Sequence, residues 1–468
     1  MWNFSNANSS IGFLRILLRA LLVFPILLAT VAVHAQTFVQ THILSNGTAN
    51  QFGGWAVAVS GDWMLVGNPS LSGPPGFVGV YQRSGTHWYL FTELTASDAT
   101  AGDQFGAAIA MDQDTIVIGA PHANVSGVVA AGRAYVFRHG HVYSTPTTPA
   151  SDYFVEVTPL SAPAIGTNFN FGFSVAVKGD SVAVGAPYSN NYLNGALYNA
   201  AGLAALYRRD AGGSNLWGNT ALVMGENHAG DNFGYAVALG ASNLAVGAPN
   251  ARLGSVFTGY INSAGRTYFF NVGNDGSAVY QQYVASSTSA SNRGFGAAVA
   301  IDGDLVAVGA PGAAGGYVPS VEVWQRDGGG IFQPLKRIDS PFDASAFGAA
   351  VSLHGTGLLI GAPNLNSPGF TYTGIAYLYA QNNGGSNNWG VSQTLLPDSG
   401  GVYSYNFLEM GRSVSLDTVT AVAGAPIAAA GAGSVTSAGA AFVFSSDTMF
   451  KNGFECPQNM VCLGSVSP

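Results

Sequence analysis

Charged side chains, cysteine and clusters of basic residues are all scarce in this chain. Only 9% of its 468 residues are Asp, Glu, Lys or Arg, and the formal net charge is −8. A protein that binds nucleic acid neutralises phosphates with a patch of Lys and Arg, and no window here has one, so we expect no nucleic-acid partner. Because 48% of the residues are apolar, the chain can still bury a large core, which argues against disorder.

Cysteine occurs only at Cys456 and Cys462, close to the C-terminus. In an exported chain these two thiols can form a disulfide with each other or remain free, and the sequence leaves both alternatives open. The body of the protein is therefore expected to fold without disulfides.

The first 35 residues have the composition of a signal peptide. Arg15 and Arg19 precede an almost wholly apolar segment, Ala20 to Val33, and Ala35 ends a small-residue cleavage pattern. A membrane anchor would need about 20 apolar residues, and this segment has about 14. We therefore predict a secreted or cell-surface protein, with the periplasm left open, and no transmembrane segment in the mature chain. That mature chain would have 14 basic and 24 acidic residues, a net charge of −10.

One block of sequence returns seven times after this segment. It has an aromatic-Gly pair, an alternating apolar stretch, a tight polar turn, a second apolar run and Gly-Ala-Pro. The first copy, Phe52-Gly53, is displaced by one residue, and the last has Met410-Gly411, as is usual for terminal repeats. In the other five copies the Phe lies 14 positions before the Gly of Gly-Ala-Pro, and the pairs are Phe105 with Gly119, Phe171 with Gly185, Phe233 with Gly247, Phe295 with Gly309 and Phe347 with Gly361.

Copies recur every 52 to 66 residues, which is enough for four strands and their connections. The seventh copy ends after a third strand at Ala440 to Phe444, whereas Phe38 to Leu44, ahead of the first copy, has the spacing of a fourth strand. We therefore predict an all-β fold, a seven-bladed β-propeller with four strands per blade, closed by the N-terminal strand completing the last blade. Such closure leaves no open sheet edge. The predicted divisions are a signal peptide (1–35), the propeller (36–446) and a C-terminal tail (447–468).

The alternation of Phe-Gly and Gly-Ala-Pro resembles the FG-GAP repeat family, the propeller of integrin α subunits and of many bacterial secreted proteins. Stretches such as Gly132-Arg-Ala-Tyr-Val-Phe137 resemble its compact bacterial subtype. The resemblance implies a propeller, an extracellular location and an adhesive or ligand-binding use. Integrin-type copies carry an Asp-rich calcium loop, but turns such as Asp302-Gly303-Asp304 are too short to supply the six or more oxygens that calcium takes. We expect no metal site and no cofactor, and we interpret these residues as turn formers.

The sequence has no motif typical of an enzyme. It contains neither Gly-x-Ser-x-Gly nor Gly-x-x-x-x-Gly-Lys, and its histidines are scattered over different copies. His139-Gly140-His141 would place two imidazoles on one face of a strand, but we assign it to a turn after a third strand. We therefore predict that the protein is not an enzyme. Carboxylates brought together across the ring could act on a glycan, so a secreted carbohydrate-active hydrolase or lyase on a propeller scaffold is the alternative.

The connections between the second and third strands should lie together on one face, and they are the longest and most aromatic. Tyr with Ser, Gly and Asn is the composition of an adaptable recognition surface. We predict that this face binds an extracellular or cell-surface protein or glycan, in adhesion or envelope organisation. The alternatives are that these aromatics pack only within their loops, and that the protein is a structural subunit held by its tail. The candidate residues are Tyr188, Tyr192, Tyr198, Phe257, Tyr260, Phe370 and Tyr372.

Overall fold

The fold is taken from a computed structural model of the chain. Residues 1–37 and 447–468 are outside the part that the structure describes, as are Cys456, Cys462, Phe370 and Tyr372. None of the described residues forms a helix that could cross a membrane. The structure describes residues 38–44, 51–71, 73–143, 151–193, 195–255, 257–313, 316–341, 345–365, 373–397, 408–428 and 438–446.

Seven antiparallel sheets of four strands form the blades of a β-propeller. After β1 (Phe38–Leu44), blade I has β2 (Val57–Ser60), β3 (Trp63–Asn68), β4 (Phe77–Ser84) and β5 (His87–Leu94). Blade II has β6 (Ala108–Asp112), β7 (Thr115–Ala120), β8 (Arg133–Val142) and β9 (Ser151–Leu160). Blade III has β10 (Ser174–Lys178) and β11 (Ser181–Ala186), the short pair β12 (Asn191–Leu193) and β13 (Ala196–Tyr198), then β14 (Leu203–Arg209) and β15 (Trp217–Val223).

Blade IV repeats the plan of blade III, with a short inserted pair of strands. It has β16 (Ala236–Leu239) and β17 (Asn243–Ala248), the pair β18 (Leu253–Ser255) and β19 (Gly259–Ile261), then β20 (Arg266–Val272) and β21 (Ala278–Val284). Blade V has β22 (Ala298–Asp302), β23 (Leu305–Ala310), β24 (Ser320–Arg326) and β25 (Phe332–Asp339). Blade VI has β26 (Ala350–His354), β27 (Gly357–Ala362), β28 (Ile375–Gln381) and β29 (Trp389–Leu395). Blade VII has β30 (Ser413–Leu416), β31 (Thr420–Ala425) and β32 (Ala440–Ser446), and β1 is its fourth strand.

The first strands of the seven blades contact one another in a closed ring, from β2 through β6, β10, β16, β22, β26 and β30 back to β2. The core lies between neighbouring blades. Phe171, for example, is fully buried among Val117 and Val136 of blade II and Val182 and Val184 of blade III. Burying one such side chain contributes about 1.5–3 kcal/mol, so each layer between blades stabilises the ring. The Phe rings of the five regular copies are buried in the same way, each at 0–1% exposure.

The glycines of the repeat hold neighbouring blades at close distance. The N–H of Gly172 donates to the carbonyl of Gly185 in the same blade at 3.1 Å, with Gly172 at φ +91°. A Cβ on Gly185 would collide with the carbonyl oxygen of Gly234 in the next blade. The same bond and the same close approach occur in all seven blades. Glycine is required at both positions, because one has a left-handed backbone and the other has no room for a side chain.

In the first copy the structure shows that Gly53-Gly54, and not Phe52-Gly53, takes the place of the Phe-Gly pair. Gly54, and not Gly53, donates its N–H to Gly67 at 3.0 Å, and Gly53 takes the place that Phe has in other copies. Phe52 therefore precedes the structural pair, and its ring packs edge-on against Trp55 at 6.1 Å. Blade I therefore keeps the bond between its two glycines and the close approach of Gly67 to the next blade, but it has no buried Phe ring at this position.

The N-terminal strand closes the ring as predicted. β1 pairs antiparallel with β32, from Phe38 opposite Ser446 to Leu44 opposite Ala441. Its register shifts between Gln40 and His42, and every other third-to-fourth strand pair carries a comparable shift. β1 therefore has the geometry of a fourth strand, bulge included.

Candidate functional site

The face at which the second strands end carries two short hairpins in adjacent blades. β12 and β13 pair with Asn191 opposite Tyr198, and β18 and β19 pair with Leu253 opposite Ile261. The side-chain amide of Asn191 donates to the Gly202 carbonyl at 2.8 Å and to Asn227 Oδ1 at 2.7 Å, which fixes the base of the first hairpin. We call this the loop face, and the opposite side, where first and second strands connect, the turn face.

The predicted aromatic residues occupy different depths of the loop face. Tyr192 is 75% exposed and Phe257 is 95% exposed, so both project from their hairpins. Tyr188 packs its ring edge-on against Phe173 at 5.8 Å, and burial raises the pKa of its hydroxyl. Tyr188 therefore serves local packing in part, as the alternative interpretation expected, whereas Tyr192 and Phe257 expose most of their side chains.

Between the hairpins lies a cleft of about 600 Å³. Tyr198 lines it directly, and the guanidinium of the lining residue Arg252 lies 4.1 Å from the ring centroid of Tyr260. Of the seven predicted residues, Tyr198 is thus in the cavity lining, Tyr260 contacts a lining residue, and Tyr192 and Phe257 lie on the hairpins. The lining residues are Leu197, Tyr198, His228, Ala229, Gly230, Asp231, Asn250, Arg252, Asn262 and Ser263.

One buried carboxylate and one imidazole meet in this cleft. Asp231 is 4% exposed, its Oδ2 accepts the backbone N–H of His228 at 3.3 Å, and His228 Nδ1 lies 3.4 Å away. Burial raises the pKa of Asp231, and contact with His228 offsets this only in part. In blade II, Asp103 accepts the N–H of Thr100, also three residues earlier, at 2.9 Å. Asp231 therefore occupies a turn position that belongs to the repeat.

The histidine pair of blade II was assigned wrongly from the sequence. His139, Gly140 and His141 lie within β8 and not in a turn, and the pairing with β9 extends past them. His139 Nε2 and His141 Nδ1 each lie 3.0 Å from Asp152 Oδ1. Burial tends to raise the pKa of Asp152, but the hydrogen bonds from the two imidazoles outweigh it, so this pKa is lowered. Within the described ranges no three His, Cys, Asp or Glu side chains are arranged to hold a metal ion, this trio included.

Two acids of the turn face bind the neighbouring blade. Asp112 Oδ2 accepts the N–H of Gly179 at 2.8 Å, and Asp302 Oδ2 accepts that of Gly355 at 2.6 Å. Each bond joins the first turn of one blade to the first turn of the next. These contacts support the interpretation of the turn carboxylates as structural groups.

Arg252, Asn250 and Asn262 were not identified from the sequence as site residues. Arg252 could have been found by comparing the repeats at one position. Five positions after the Gly of Gly-Ala-Pro, blades II and III have Asn124 and Asn190, and blade IV has Arg252.

The FG-GAP repeat family model matches residues 88–137 and 154–199. Each match begins in the fourth strand of one blade and ends at or before the third strand of the next, so the sequence repeat is offset from the blade by one strand. No curated protein matches the chain. The family predicted from the Phe-Gly and Gly-Ala-Pro pattern is confirmed.

Proposed function

Because the chain carries FG-GAP repeats folded as a seven-bladed propeller, a scaffold suited to binding, we propose that it is an exported, non-catalytic protein that binds a protein or glycan through its loop face. Its role is adhesion or organisation of the cell envelope. The observation that carries this proposal is the pair of adjacent hairpins with exposed aromatic residues on either side of a 600 Å³ cleft. Apolar rings beside a few polar groups are typical of ligand sites.

The non-catalytic part of the proposal rests on the chemistry of the cleft. Asp231 and His228 are its acid and imidazole, and Asp231 occupies the same turn position as Asp103. A buried acid with a raised pKa is also what a glycan hydrolase or lyase would use as its proton donor, which keeps the enzyme as the second candidate. An assay for glycan cleavage with the purified protein separates the two.

The proposal is tested by a screen of the purified protein against a glycan array and extracellular-matrix proteins, with calcium and again with chelator. We expect saturable binding that chelator leaves unchanged, and no release of cleaved product. Tyr192→Ala combined with Phe257→Ala should weaken binding at least tenfold without changing the unfolding midpoint, because both side chains are exposed.

The matched control is Tyr143→Ala. Tyr143 is 79% exposed and follows the end of β8, on the turn face, so its loss should leave binding unchanged. Equal losses in both variants, or binding abolished by chelator, would contradict a loop-face site that works without metal. Turnover of a bound glycan would favour the enzyme.

A further inference from the structure

The cleft contains a cation without an acidic partner among the described residues. Arg252 lines the cavity, its guanidinium stacks on Tyr260, and its Nε is buried without a hydrogen-bond partner. The Nε atoms of Arg133, Arg266 and Arg293 are also buried without a partner, so the feature that sets Arg252 apart must lie in its other guanidinium nitrogens. The stacking holds the planar fork in place, which lowers the entropic cost of binding an anion.

Other arginines with a buried Nε differ from Arg252 in this respect. Arg266 pairs with Glu226, Arg133 pairs with Asp98, and Arg293 donates to Ser320. Each of them satisfies another guanidinium nitrogen within the protein. Arg252 is placed in the same way but has no such contact among the described residues, so its charge is available to a ligand.

The repeat shows what this position does elsewhere. Asn124 Oδ1 accepts the N–H of Ala130 at 3.0 Å, and Asn190 Oδ1 accepts that of Ala200 at 3.0 Å, which closes the loop in blades II and III. Arginine has no acceptor and cannot form this bond. Blade IV therefore has a cation at this position, in the lining of the cleft, and among the described residues its internal contact is the stacking on Tyr260.

We infer that the cleft binds a glycan through the carboxylate of an acidic sugar, an inference that rests on the proposed function. A carboxylate takes two parallel hydrogen bonds from a guanidinium. The amides of Asn250 and Asn262 and the hydroxyl of Ser263 line the same cavity and suit the hydroxyls of a sugar ring. Tyr198 supplies an aromatic wall for its apolar face.

The carboxylate of Asp231 does not compete with such a ligand. It is 4% exposed, and it is held by the backbone N–H and the imidazole of His228. Arg252 is thus the charge that a ligand in the cleft would meet.

The inference is tested by titration calorimetry with the purified protein, using an oligogalacturonate and a galactose oligomer of the same length. We expect the acidic oligomer to bind at least tenfold more tightly, with an affinity that falls as salt is raised. Arg252→Gln should remove this preference, so that the two oligomers bind with similar affinity, and Arg252→Lys should retain part of it. Arg412→Gln is the control, because Arg412 also stacks on an aromatic ring, Trp55, but is already paired with Glu409.

Equal affinity for the two oligomers, or full acidic preference in Arg252→Gln, would overturn the inference. If the protein binds neutral glycans or matrix proteins but not the oligogalacturonate, the proposed function stands and the inference fails. If it binds an acidic peptide through Arg252 and not the sugar, the glycan assignment is wrong. Absence of binding throughout the screen would overturn both.

Discussion

At the scale of the residue, the glycines of the repeat allow the backbones of neighbouring blades to approach closely. A glycine in the left-handed region donates to the glycine of Gly-Ala-Pro, and the latter touches the carbonyl of the following blade. In blade V these residues are Gly296 and Gly309, and the carbonyl belongs to Gly348 of blade VI. The signature residues are therefore explained by packing.

Gly309→Ala should lower the free energy of unfolding by about 1–3 kcal/mol, because the added methyl overlaps backbone atoms that cannot move without opening the ring. Gly328→Ala in the same blade is the control, since a Cβ there meets nothing within 4 Å and its φ is not positive. Urea unfolding of both variants gives the comparison. Equal stability of the two would contradict a steric role for Gly309.

Asp152→Asn should destabilise the protein at neutral pH by at most about 1 kcal/mol, because the site is near the surface. The pKa of Asp152 is lowered in the folded state, so its carboxylate contributes stability above the unfolded value, near 4, and loses it as the pH falls through the folded pKa. The difference between wild type and variant should therefore begin to shrink near pH 4 and disappear once the pH is below the folded pKa. A difference that grows in acid would contradict this sign, and Asp304→Asn controls for loss of an exposed carboxylate.

At the scale of the element, closure of the ring depends on the N-terminal strand, β1. Phe38 is 4% exposed and packs with Leu378 and Leu395 of blade VI as well as Phe444 of blade VII. Its N–H also donates to Gln393 Oε1 at 2.7 Å. β1 therefore completes blade VII and also packs against blade VI.

Phe38→Ala should cost about 3–5 kcal/mol of unfolding free energy, because it leaves a cavity at this junction. Val39→Ala, one residue later on the opposite face of the same strand and 48% exposed, should change it by less than about 0.5 kcal/mol. Thermal and urea unfolding measure both. If the two variants were equally stable, β1 would not close the ring as described.

The strands and their order were predictable because each of the seven copies repeats the same alternating apolar pattern. Each copy therefore supports the strand assignment of the others. The two inserted hairpins were not predicted, although Asn194-Gly195 between Leu193 and Ala196 is a hairpin signal, because the whole segment was interpreted as a loop. His139-Gly140-His141 was misread because glycine was taken as a turn signal. In β8 the glycine makes room for the ring of Tyr153 on the paired strand, where a Cβ would collide with it. The cleft could not be predicted from one repeat, because its lining comes from the loops of two neighbouring blades.

At the scale of the whole molecule, the closed ring separates two faces with different chemistry. The turn face carries carboxylates bonded to neighbouring blades. The loop face carries the exposed hairpin residues Tyr192 and Phe257 and a cleft lined by Arg252, which has no acidic partner among the described residues. Repetition supplies the scaffold, and departures from it, the two hairpins and Arg252, lie together between blades III and IV. The proposed binding function thus uses the part of the ring where these departures lie.

The measurement that tests this account most directly is hydrogen–deuterium exchange of the protein with and without the tightest ligand from the glycan and matrix screen. Binding at the loop face should slow exchange in residues 188–198 and 250–263 and leave 138–143 and 210–215 on the turn face unchanged. Protection confined to the turn-face segments, with none at the hairpins, would contradict the proposed site.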